Sequence, residues 1–213
     1  MHHNPLQERI FTYCTEHTSP VQPVLNELER ASHLKTLSPQ MVSGPYQGML
    51  LQFFSQMIRP HRVLEIGSFT GYSAICLAQG LAEGGEVHTI EVNDELAYLI
   101  REHLEKAGLA DRVKLLVGDA GLILPTLTDV YDLVFMDAGK LDYALHYELA
   151  LSKVRPGGFI IADNVLWDSK VVTSDQEATT VALRQFNDAV LNDERVENLL
   201  LPLRDGLMLI RKC

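Results

Sequence analysis

Residues 63–73 read Val-Leu-Glu-Ile-Gly-Ser-Phe-Thr-Gly-Tyr-Ser. A short apolar run closes at Gly67, a second glycine follows at Gly71, and a helix is predicted from Tyr72. A strand that turns through glycines into a helix leaves backbone N–H groups and a helix N-terminus open to a ligand. The spacing is G-x-x-x-G, not the G-x-G-x-x-G of dinucleotide-binding loops. Glu65, just before the turn, would repel a pyrophosphate. A cationic group such as an amino-acid ammonium suits it better.

Outward from this stretch, strands and helices alternate. Strands are predicted at Arg62–Ile66, Glu86–Glu91, Val113–Val117, Tyr131–Met136 and Phe159–Ala162, the last after a Pro156-Gly157-Gly158 turn. Helices are predicted at Tyr72–Leu81, from a cap at Asp94 to Ala107 with Gly108 as a left-handed stop, and at Ala178–Leu191. Two last strands flank the hairpin turn signal Asp205-Gly206. The alternation implies parallel strands with right-handed crossovers, and the hairpin makes the last strand antiparallel. The predicted fold class is α/β: a seven-stranded mixed sheet with helices on both faces. Upstream, helices are predicted at Pro5–Glu16, at Val21–Leu34, and behind Ser43-Gly44-Pro45 as far as Pro60, with Ser43 as the cap. A single domain over 1–213 is expected, with 1–60 a helical cap on a core of 61–213.

The 213 residues, 46% apolar, suffice for one α/β core. No apolar run approaches the roughly 20 residues of a membrane helix, and no signal peptide is read at the N-terminus. The formal charge of −10 disfavours nucleic acid and anionic membranes as partners. Cys14, Cys76 and Cys213 are few and far apart, which fits a reducing, cytoplasmic setting and makes no zinc site.

The strand ends carry the chemistry. Glu91 closes the second strand, 24 residues past Gly67, where a carboxylate can accept both hydroxyls of a ribose. Asp119 closes the third and could line an adenine edge. An ammonium, a ribose diol and an adenine without phosphate describe S-adenosyl-L-methionine. The fourth strand runs into Asp137-Ala138-Gly139-Lys140 and the fifth into Asp163-Asn164. Two carboxylates and a carboxamide are oxygen donors, which select Mg²⁺, Mn²⁺ or Ca²⁺ over zinc. Taken singly, Asp137 also reads as a helix cap, Asp163-Asn164 as turn residues and Lys140 as a surface lysine. Near a cation, Lys140 could act as a base.

Val63–Ala78, Phe135–Tyr143 (FMDAGKLDY) and Ala162–Trp167 (ADNVLW) together resemble the cation-dependent O-methyltransferases, the family of caffeoyl-CoA and catechol O-methyltransferases. The resemblance runs from about Met41 to Lys212. It implies a class I methyltransferase fold, metal ligation by Asp137, Asp163 and Asn164, and Lys140 as general base. It implies cofactor contacts at Ser43, Glu65, Gly67, Phe69, Ser73, Glu91, Asp119, Ala120 and Asp137. It also implies a hydroxylated aromatic acceptor of the catechol type and a homodimer. Some relatives methylate a hydroxylated uridine in tRNA, which is the alternative. Two positions depart from the family. Gly139 stands where an aspartate is common, and residues 198–202 hold no acid matching the glutamate that binds catechol in the animal enzyme. The acceptor wall is expected from Met41, Tyr143, Tyr147, Trp167 and the segment Asp168–Thr180.

Overall fold

The computed structural model describes residues 5–213. Among them seven strands form one sheet in the order β3-β2-β1-β4-β5-β7-β6. The strands are β1 Arg62–Ile66, β2 Glu86–Glu91, β3 Val113–Val117, β4 Tyr131–Met136, β5 Val154–Asp163, β6 Val196–Leu201 and β7 Leu207–Lys212. The first five pair in parallel. Strand β7 runs antiparallel to both β5 and β6. This is the predicted mixed sheet.

Alternation along the central strands assigns the two cores. Val63, Leu133, Phe135 and Ile161 face one apolar cluster, while Leu64, Ile66, Val134, Met136 and Ile160 face the other. Helices α2 (Pro23–Lys35), α3 (Gly44–Ile58), α4 (Tyr72–Ala78) and α5 (Ala97–Lys106) cover the first face. Helices α6 (Ala120–Ile123), α7 (Tyr143–Lys153) and α8 (Ala178–Leu191) cover the second. Helix α1 spans Pro5–Glu16. Because β1 leads to one face and its neighbour β4 to the other, their C-terminal ends part and leave a crevice, where ligands bind in open α/β sheets.

Several boundaries differ from expectation. Strand β5 begins at Val154, because Arg155–Gly158 bulges out between the pairs Tyr131–Val154 and Leu133–Phe159 instead of making a turn before the strand. Helix α4 stops at Ala78. The cap ahead of α5 is Asn93, whose side chain accepts from Glu95 N at 3.0 Å; Asp94 opens a short 3-10 turn. Ser43 does not cap α3. Its own backbone is helical, which points the hydroxyl away from the orphan N–H groups, and Gly44 takes the left-handed turn with φ 76°. Gly108 has φ 67°, the expected left-handed stop. No described helix is long and apolar enough to cross a membrane.

Candidate functional site

The crevice at the parted ends of β1 and β4 is a cleft of about 760 Å³. Ser43, Gly67, Phe69, Ser73, Glu91, Asp119, Ala120, Asp137, Lys140, Asp163 and Asn164 all line it. Glu65 alone of the predicted set does not. It shares the inward face of Val63, is fully buried below the glycine loop, and accepts from Thr89 Oγ1 at 2.5 Å. Its other oxygen, Oε1, has no hydrogen-bond partner. Burial, opposed by the hydroxyls of Ser73 and Thr89, pushes the Glu65 carboxyl up to about 7.

The glycine loop is pinned at both ends. Gly67 N and Ser68 N donate to Ile90 O at 3.0 and 3.1 Å, and Asp137 N donates to Ile66 O at 2.8 Å. Gly67 has φ 96°, and a Cβ there would lie 2.3 Å from the Asp137 carbonyl oxygen. Only glycine meets both demands. Phe69, also left-handed at φ 50°, donates its N–H to Glu91 Oε2 at 2.6 Å, and Asn93 N donates to Glu91 Oε1 at 2.9 Å. Each Glu91 oxygen thus keeps a lone pair for the cleft. Asp119 caps α6, accepting from Leu122 N at 3.2 Å, and still faces the cleft.

The opposite wall joins the ends of β4 and β5. Lys140 Nζ donates to Asp137 Oδ1 and to Tyr143 Oη, both at 2.7 Å. Tyr143 Oη in turn donates to Asp163 O at 2.8 Å. Asp163 takes the N–H of Asn164 on Oδ1 at 2.8 Å and the amide of Gln47 on Oδ2. Burial, and then the facing carboxylate of Asp137, push the Asp163 carboxyl above the usual carboxylate range. The Asn164 carboxamide makes no hydrogen bond within the described residues. Among those residues no three His, Cys, Asp or Glu side chains cluster as metal ligands. The donor set is instead two facing carboxylates and one free carboxamide, and that set fits a hard divalent cation.

Gln47, His146 and Arg204 also line the cleft and were not foreseen as site residues. Gln47 is buried, with its carbonyl held by Arg204 and its amide on Asp163. His146 is buried on α7 with Nδ1 unpartnered, and burial holds its pKa below the usual imidazole range. A motif search cannot find Gln47 and Arg204, because each is placed by an element remote in sequence, and His146, on the helix after Lys140, belongs to no motif. Of the expected acceptor wall, Met41, Trp167 and Thr179 face the cleft. Tyr143 and Tyr147 do not. Both rings pack edge-on against Phe186 in the core, and Tyr147 Oη donates to Asp193 at 2.8 Å.

A family profile described as O-methyltransferase matches residues 15–213. The chain belongs to the O-methyltransferase family. A probable caffeoyl-CoA O-methyltransferase 2 of Dictyostelium discoideum is 31% identical over 210 residues, covering 95% of this chain and 91% of that one. A catechol O-methyltransferase of Mycobacterium tuberculosis is 37% identical over 148 residues, covering 69% and 67%. The crystal structure of an O-methyltransferase from Bacillus cereus in complex with SAH superposes with a TM-score of 0.90 at 29% identity, covering 96% of this chain and 97% of that one. The O-methyltransferase described here is therefore an S-adenosyl-L-methionine-dependent enzyme with the class I sheet.

Proposed function

We propose that this methyltransferase acts, with a divalent cation, on one hydroxyl of a catechol-like small molecule. The observation that carries the reading is the meeting of Asp137, Asp163 and the free Asn164 carboxamide on one wall of the cleft whose other wall is the glycine loop. When bound, S-adenosyl-L-methionine supplies a methyl group activated on a sulfonium, and a Mg²⁺ or Mn²⁺ ion held by Asp137, Asp163 and Asn164 eases loss of a phenolic proton.

The chain's residues position and deprotonate. Gly67, Phe69, Ser73 and Ser43 shape the cofactor end, Glu91 accepts the ribose hydroxyls, and Asp119 with Ala120 borders the adenine. Glu65 acts on the cofactor ammonium through the loop's field, from one layer below. Lys140 takes the proton of the attacking hydroxyl at Nζ, with Asp137 and Tyr143 fixing that nitrogen at the end of β4. Trp167 and Met41 bound the acceptor side and exclude water. Holding the reactants in line supplies much of the rate enhancement. We further propose a homodimer in the cytoplasm, joined through α3, where Phe53 and Met57 are exposed.

The test incubates the enzyme with labelled S-adenosyl-L-methionine and Mg²⁺, offering a panel of catechols or hypomodified tRNA, with and without chelator. The expected result is label in a catechol, abolished by chelator. Label only in tRNA overturns the acceptor, and undiminished transfer in chelator overturns the metal.

A further inference from the structure

One lysine and one arginine line the cleft, and they differ in what holds them. Lys140 is ion-paired with Asp137 at 2.7 Å. Arg204 has no carboxylate within ion-pair distance among the described residues. Its Nη1 donates to two neutral oxygens, the carbonyl of Ser43 and Oε1 of Gln47, while Nε and Nη2 bond to nothing described. A guanidinium anchored at one nitrogen presents its remaining N–H groups as a planar fork, the geometry that takes a carboxylate with two parallel hydrogen bonds.

The backbone gives a second, independent observation. Arg204 lies in the connection between β6 and β7 with φ 50°, a left-handed conformation strained for any residue with a side chain. Such strain at a cleft-lining residue points to a task at the cleft. The position sets which ligand is met. Through Gln47 the guanidinium is tied to the same hydrogen-bonded chain as Asp163, in the cleft that Glu91 and Asp119 also line. Its second tie, to the Ser43 carbonyl, sets it where the cofactor end meets the acceptor end, and the link to Asp163 favours the acceptor. The neighbouring acids, Asp163 and Asp205, make a singly charged carboxylate a better partner than a doubly charged phosphate.

Resting on the catechol reading above, we propose that Arg204 selects acceptors that carry a carboxylate, pairing with it while the diol meets the wall of Asp137 and Asp163. The same chemistry could come from the amino-acid carboxylate of S-adenosyl-L-methionine, so the experiment separates the two sources. Dihydroxyphenyl carboxylic acids with zero, one or two methylenes before the carboxyl are compared with their primary amides, in the intact enzyme and in Arg204→Gln. Affinity for S-adenosylhomocysteine is measured by calorimetry in parallel.

For at least one chain length the intact enzyme should prefer the acid over its amide by about tenfold or more in kcat/KM, the scale of a charge-assisted hydrogen-bonded pair. Arg204→Gln should bring that ratio to within about twofold and leave S-adenosylhomocysteine affinity within about twofold. A fall on acid and amide alike that leaves their ratio unchanged would mean that Arg204 only braces Gln47, and would overturn the inference. A loss of S-adenosylhomocysteine affinity would assign the carboxylate to the cofactor and overturn it as well. Turnover of the amides with no preference for acids overturns this inference and leaves the catechol reading standing. Turnover of neither overturns both.

Discussion

On the wall formed by the ends of β1, β2 and β3, acidic side chains are held by nearby backbone: Glu91 by the N–H groups of Phe69 and Asn93, Asp119 by that of Leu122. On the wall formed by β4, β5 and the β6–β7 connection, the local contacts of Lys140 with Asp137 and Tyr143 and of Asn164 with Asp163 are joined by side-chain contacts between residues far apart in sequence. Gln47 reaches Asp163 across 116 residues, and Arg204 reaches Gln47 across 157. The cofactor end is thus held mainly by backbone donors of neighbouring turns, while the acceptor end also needs side chains that only the assembled sheet brings together. Changes on the first wall should strain the chain itself. Changes on the second should spare the fold and cost ligand.

The strongest break of that comparison is Asp163→Ala. Removing a proposed ligand should cut Mg²⁺-supported turnover by on the order of 1000-fold, beyond the roughly 10–100-fold typical of residues that only orient ligands. S-adenosylhomocysteine affinity should stay within a few-fold. Turnover near the intact level would remove the metal from the second wall.

Gly67→Ala attacks the seam between the walls. Its Cβ, 2.3 Å from the Asp137 carbonyl oxygen at a left-handed φ, forces a shift of backbone. Urea unfolding should show a loss of roughly 3 kcal/mol. An unchanged midpoint would mean that the loop yields freely and the walls are not coupled.

Glu65 tests the first wall through pH. Its carboxyl stands at about 7 in the folded chain against 4.5 ordinarily, so the fold holds an extra proton between those values. Its stabilising contribution is present below about 4.5 and is lost as pH rises through 7, a decline of about 3 kcal/mol in the ligand-free chain. Melting temperatures from pH 5 to 8 should show this decline, and Glu65→Gln should flatten it. A slope unaltered in the variant would place the titration elsewhere.

The smallest effect is expected at Gln47. Gln47→Leu removes the amide on Asp163 Oδ2 and should weaken Mn²⁺ binding, read by calorimetry, by about tenfold. Equal affinities in variant and intact chain would show that Asp163 needs no orientation.

The same contrast governs what was legible in the sequence. The glycine turn, the strand-end acids and the strand directions follow from periodicity and punctuation within short windows, and they reappear in the structure with few changes. Glu65 was placed in the cleft because strand-end carboxylates usually face it, but the alternation of β1 turns it inward. Ser43 resembled a cap until Gly44 supplied the left-handed turn. Tyr143 and Tyr147 sit near Lys140 in sequence, yet α7 directs both toward Phe186. Gln47 and Arg204 carry no local signature, since a side chain's partner across more than a hundred residues is a property of the assembled sheet.

The contact between Gly67 and the Asp137 carbonyl has one more consequence. It works as a fixed spacer: the turn that carries the cofactor loop and the turn that carries Asp137 and Lys140 touch backbone to backbone, with no side chain between them to repack. Substitutions elsewhere in the cleft cannot widen that gap. The acceptor-side segment 168–177 can therefore diverge without moving that contact, and the chain can be refitted for new acceptors while the gauge of the reaction centre stays the same.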